Sequence, residues 1–262
     1  MSTQEIPGSG YAPTREDYGT GAYRRRIRVR SAEGALHADM EDDFHRFALR
    51  VEHDGERVTA VHGAARRAPW TTCPAAVDEL ERLVGVRLTE SHAEVREYSD
   101  PRTHCTHLFD LATVAITCAA RGAPGADYRV EIPDAADGRR KVRLERDGSS
   151  ALEWHIEEAR IVAPTPAPYA GMGLRGGFGR WAEATLEPAV AEAAQVLRRA
   201  VFIAVGRRFD LDQIESATAL GTAPSTCHSF SPDVWQQADR AHGTVRDFSE
   251  RPDALLAEPL RP

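Results

Sequence analysis

Asp100-Pro101-Arg102-Thr103-His104-Cys105-Thr106-His107-Leu108-Phe109-Asp110-Leu111-Ala112 sets two histidines, a thiol and a carboxylate within the seven positions 104–110, at the front of an apolar segment. Asp100 is a good N-cap and Pro101 suits the first helical position. The stretch therefore predicts a helix that runs to about Ala120, ahead of Gly122-Ala123-Pro124-Gly125. At about 100° per residue, Leu108, Ala112, Ala115 and Ile116 form its apolar stripe. His104 and Cys105 flank that stripe, His107 lies at its edge, and Asp110 points further out. Imidazole and thiol facing inward at a helix start can meet a pocket rather than water.

Working back from this helix, strand-like segments cover about 24–30, 35–40, 43–52 and 57–62, and Asp54-Gly55 supplies tight-hairpin chemistry between the last two. By the period of two, Asp43, His45, Phe47, Leu49 and Val51 share one face of their strand, with Arg46, Arg50 and Glu52 opposite. Tyr23-Arg24-Arg25-Arg26-Ile27-Arg28-Val29-Arg30 reads as an edge strand with solvated arginines. Pro69-Trp70-Thr71-Thr72-Cys73-Pro74 leads into a helix over about 75–84 that Gly85 closes. Cys73 then stands at a helix N-terminus, where free amides favour a thiolate.

Beyond Gly125, three strands at about 127–132, 139–146 and 151–162 form a meander with turns at Asp137-Gly138 and Asp147-Gly148. A long helix over about 187–206 follows, and a short one near Pro232–Ala241. Gly171-x-Gly173-x-x-Gly176 spells a dinucleotide fingerprint, but prolines precede it where that motif needs a buried strand, so it reads as a loop. Trp70, Trp154, Phe178, Trp181 and Trp235 are either core or cavity lining. Pro7, Gly8, Gly10, Pro13 and Gly19 make residues 1–22 a flexible polar tail. The expected class is α+β: an antiparallel sheet with helices on one face over 23–122, then a β-meander and long-helix module over 123–262 that closes a pocket.

A net charge of -7 argues against nucleic acid or a membrane surface as partner. The longest apolar run, Ala189–Val205, carries Glu192, Gln195, Arg198 and Arg199, too polar for a bilayer span. With no charged-then-apolar leader, the expected location is the cytoplasm, where Cys73, Cys105, Cys118 and Cys227 stay reduced.

Zinc and iron accept imidazole nitrogen, thiolate and carboxylate. His104 and Cys105 supply the first two types, and Asp43 and Cys73 are the candidates to complete a shell. The bland alternative makes Cys105 a small buried hydrophobe and has His104 and His107 bond to backbone. Over residues 35–120, Glu41-Asp42-Asp43-Phe44-His45, Cys73 before a helix, and His104-Cys105 opening another resemble the IscU/NifU-type iron–sulfur scaffold. That resemblance implies Asp43, Cys73, His104 and Cys105 as ligands, and puts Glu41 where the scaffold has its first cysteine. Glu-Asp-Asp-Phe-His, Pro-Trp-Thr-Thr-Cys, Cys-Thr-His-Leu-Phe-Asp-Leu and Arg246-Asp247-Phe248 also resemble a bacterial family of unknown function.

The resulting expectation is a metal-dependent lyase, hydrolase or isomerase holding zinc or iron, with His107, His45 or Glu41 as acid or base. Its partner is a small, largely apolar substrate, aromatic or terpenoid-like, with a homodimer left open. Iron–sulfur cluster carriage and metal-free ligand binding are the rivals. Cys227-His228 could reach back to the same pocket.

Overall fold

Alternation builds the sheet. The computed structural model of the protein describes residues 3–5, 11–135, 137–220 and 226–258. Strands β1 (Thr3–Glu5) and β2 (Tyr11–Pro13) pair with each other. The other eight are β3 (Ala22–Ala32), β4 (Ala35–Asp42), β5 (Arg46–His53), β6 (Val58–Arg67), β7 (Gly125–Pro133), β8 (Arg139–Arg146), β9 (Ser149–Glu157) and β10 (Arg160–Val162). They form one antiparallel sheet in the order β10-β9-β8-β7-β3-β4-β5-β6. The fold is α+β, as expected. Because β7 pairs with β3, the strands of the first half and the meander of the second are one sheet.

Register decides which side chains are covered. Ile27 stands opposite Met40 and Tyr128, Val29 opposite Ala38 and Ala126, and Met40 opposite Phe47, so these residues share a face. Helix α1 (His92–Tyr98) lies beside α2 (Thr106–Ala120); α2 packs across β3, β4 and β5 on the apolar face. Helix α3 (Phe178–Thr185) leads to α4 (Pro188–Ala204), which crosses β7, β8 and β9. Nearly every residue of α2 from His107 to Cys118 is buried, the pattern of a helix enclosed all round. Trp154 packs against Tyr169 and Phe178, and Phe178 against Trp181, so these rings are core. Among the described residues no helix is long and apolar enough to cross a membrane.

Several local expectations are corrected. β3 is an interior strand, and its arginines are paired, Arg24 with Glu131, Arg26 with Asp127 and Arg30 with Asp39, of which only Arg30 is also exposed. Carboxylates on the strands at either side make an arginine-rich strand tolerable in mid-sheet. The helix expected from Asp100 begins later. Asp100 caps only a single 3₁₀ turn, Pro101–Thr103, after which His104 and Cys105 are extended and α2 starts at Thr106. The carbonyl of His104 accepts from the amide of His228, which holds this stretch straight against the C-terminal segment.

Cys73–Leu83 is 3₁₀ rather than α-helical, and it packs on β6 at Gly63, where an added Cβ would lie 3.0 Å from Leu80 and Val77. α1 occupies what reads as loop; it has the Ser91…Glu94 capping-box spacing, and Ser91 Oγ accepts from the Glu94 amide. Only His92 and Val95 are buried there, too few to print a stripe. The helix expected near Pro232–Ala241 is one turn, Trp235–Gln237, because the surrounding backbone bonds outward to Pro69, Thr71 and Ala217.

Candidate functional site

Two charged residues follow the parity of the apolar face. Tyr23, Arg25, Ile27 and Val29 alternate inward on β3, and Leu36, Ala38, Met40 and Asp42 do so on β4; register sets Arg25 opposite Asp42. Asp42 also ends its strand. Its Oδ1 accepts from the amides of Phe44 at 2.8 Å and His45 at 2.7 Å, a side-chain turn that reverses the chain into β5. The turn upsets the period of two, so Asp43 and His45 do not share a strand face.

Asp42 is the hub. Oδ1 also accepts from His45 Nδ1 at 3.0 Å, and Oδ2 from Tyr23 Oη at 2.7 Å and from Arg25 Nη2 at 2.6 Å and Nε at 3.1 Å. Burial opposes ionisation, yet His45 and Arg25 together hold this carboxyl well below the usual carboxylate range. Because Asp42 only accepts, Nδ1 of His45 donates, and Nε2 is left as the free nitrogen. His107 stacks on His45, with ring centroids 3.9 Å apart. Burial, then His45 and Arg25, push its pKa well below the imidazole range, so His107 is neutral; its Nε2 is buried without a partner.

Both rings line a cavity of about 240 Å³ walled by Phe44, Trp70, Ile203 and Phe230. Cys73, Cys105 and Cys227 line it as well. Cys73 Sγ lies 3.3 Å from Ser229 Oγ, and Cys105 Sγ 3.9 Å from His107 Nδ1. The thiolate expected at Cys73 is not favoured: burial pushes its thiol up to about 11. Burial raises Cys105 well above the usual range and Cys227 also upward, so all three are thiols at neutral pH.

The sequence-predicted residues divide. His45, His107, Cys73 and Cys105 meet in this cavity, joined by Cys227. Asp43 turns away, with Oδ2 accepting from Arg207 Nη1 at 2.6 Å and Oδ1 unpartnered. Burial, against Arg207, raises its carboxyl to about 7. Glu41 alternates to the opposite sheet face, where it accepts from Arg67 at 3.0 Å and from the Leu256 amide at 2.9 Å. His104 is extended and buried, with Nε2 on Ser99 Oγ at 2.8 Å and Nδ1 without a partner; burial lowers it to about 4.

The expected shell of Asp43, Cys73, His104 and Cys105 is therefore not gathered. Among the described residues, the group whose potential ligand atoms lie within 4.8 Å of one another is Asp42, His45 and His107. Zinc or iron does not fit that trio as arranged. Both Asp42 oxygens are taken, a guanidinium stands 2.6 Å away, and the imidazoles stack face to face instead of converging their in-plane lone pairs.

Asp42, Arg25 and Tyr23 are members of this candidate site that sequence reasoning passed over. The signal was present, since each sits at the inward parity of a strand whose other inward residues are apolar. Residues 23–121 match the family described as "Protein of unknown function (DUF2889)". The matched span takes in Arg25, Asp42, His45, Cys73, Cys105 and His107, and ends before Cys227. No curated protein matches the chain.

Proposed function

We propose that the protein is an enzyme that moves a proton on a small, largely apolar molecule held in the thiol-lined cavity, chemistry of the isomerase or lyase type. His45 is the acid–base group: Asp42 fixes its tautomer and supports the imidazolium once a proton is taken. The observation that carries this reading is an imidazole anchored at one nitrogen by a buried, fully bonded carboxylate while its ring lines an apolar cavity. Nucleophilic hydrolysis has less support because the neighbouring thiols are protonated. Cluster carriage has less support because Cys73 and Cys105 are buried. The four free cysteines favour a reducing compartment, the cytoplasm.

The test is solvent exchange. Small apolar ketones and unsaturated acids are incubated with the protein in D₂O and examined by mass spectrometry for deuterium at acidic C–H positions. Wild type exchanges a subset of them, and His45→Gln is slower by about 10²–10⁴-fold. Binding without exchange makes this a metal-free ligand-binding protein instead, and exchange unchanged in His45→Gln removes His45 from the chemistry.

A further inference from the structure

A second, smaller cavity lies on the α4 side of His107. It has about 20 Å³ of room, enough for one water-sized group, and is lined by Arg25, Arg96, Arg198, Arg199, Asp110 and His107 among others. Its charges do not balance. Arg25 is paired with Asp42, and Arg199 donates to Asp110 at 2.5 Å. Arg96 and Arg198 have no carboxylate within ion-pair distance among the described residues; Arg96 reaches Gln195 Oε1 at 3.3 Å, and Arg198 Nε is spent on the Leu174 carbonyl.

Arg198 is held in place by more than that bond. Its guanidinium lies over Phe178 at 5.8 Å and Phe202 at 5.2 Å from the ring centroids. Burial, then Arg199 and Arg96, lower its ionisation to about 10, which reflects like charges gathered in a poorly solvated space. His107 supplies an independent sign of a missing neighbour, since its ring is buried and Nε2 has no partner. Two unbalanced guanidiniums and a neutral imidazole with an unpartnered nitrogen beside a water-sized cavity are the recognition elements of a small monoanion.

We propose that this cavity binds a small monoanion, a halide-sized ion or the oxygen end of a carboxylate, between Arg96, Arg198 and His107. The site goes beyond the proton-transfer reading and does not require it. An occupant would neutralise the surplus charge and accept from His107.

The full chain is titrated with chloride or formate at constant ionic strength maintained by sulfate, which is too bulky for the cavity, and its melting temperature is followed. The melting temperature rises to saturation with chloride or formate, and Arg198→Met and Arg96→Gln each weaken the half-saturating concentration at least tenfold. Arg198→Met retains an apolar stem over Phe178 and Phe202, and Arg96→Gln serves as the second variant should the first fold poorly. Saturation by formate alone assigns the site to a free ion; saturation by longer carboxylic acids that also shift the His45 imidazole resonances assigns it to the carboxylate of a bound ligand. Equal effects of formate and sulfate, or an unchanged midpoint in both variants, would overturn the proposal.

Discussion

Asp42 and Asp43 are neighbours in the chain and equally buried, yet they belong to opposite kinds of network. Around Asp42 one carboxylate is served by many donors, from Tyr23, Arg25, two backbone amides and His45. Around Asp43 the proportions reverse: one guanidinium, Arg207, is shared among Asp43, Asp134 and Asp247. Ser249, which also accepts from Arg207, bonds the Ala22 amide, so that knot ties the start of β3 to the end of β7 and the C-terminal segment. A carboxylate rich in donors stays ionised and can orient a base, whereas a guanidinium encircled by acids is a cross-link. The first network opens through His45 onto the thiol-lined cavity; the second joins distant chain segments through Arg207.

The largest expected effect falls on the Arg207 network. Arg207→Ala leaves two buried carboxylates without their cation and should cost about 3–5 kcal/mol in urea unfolding; a loss below about 1 kcal/mol would break the contrast. Asp42→Asn should cost less, about 2–3 kcal/mol, because several of its hydrogen bonds survive while Arg25 loses its charge partner. Unlike the Arg207 variant, it should also abolish exchange and alter the His45 tautomer seen by ¹⁵N NMR. His45→Gln sharpens the distinction, with exchange lost and stability within about 1 kcal/mol of wild type.

The two aspartates also differ in the sign of their response to pH. Asp43 has its folded pKa raised from 3.8 to about 7, so its contribution is complete below about pH 4 and is lost as pH rises through 7. Asp42 is depressed, so its contribution is present above the unfolded value near 3.8 and is lost only in acid. Urea midpoints of wild type and Asp43→Asn should therefore diverge between pH 5 and pH 8, with the variant less sensitive to alkali; parallel curves would refute the assignment. The smallest expected effect is that of a chelator. Melting temperature and exchange should not change, and zinc at one per chain that is lost in His107→Ala would reverse that conclusion.

The strands β3–β6, the hairpin at Asp54-Gly55, the meander and the long helix were legible because alternation and turn chemistry are local. Convergence of Cys73, Cys105, His107 and His45 was legible in outline for a related reason: each flanks a turn or helix start at the edge of an apolar run. Asp43 was misplaced because the turn at Asp42 breaks the strand period, and His104 because a distant segment holds its backbone extended. The Asp42 turn redirects Asp43 to Arg207, and the His228 amide holds His104 extended before the helix begins. Nothing within ten residues of either position encodes those partners. Arg25 was hidden among four neighbouring arginines, although its parity with Tyr23 and Ile27 marked it.

The pairing of β3 with β7 governs how the molecule can be cut. A fragment ending at residue 121 would strip β7 and α4 away, leaving Tyr23–Val29 as a long unpaired rim flanked by uncovered apolar side chains. Such a rim recruits other copies of itself. The piece that carries most of the site would thus aggregate on its own, and the second half of the chain acts as its built-in chaperone.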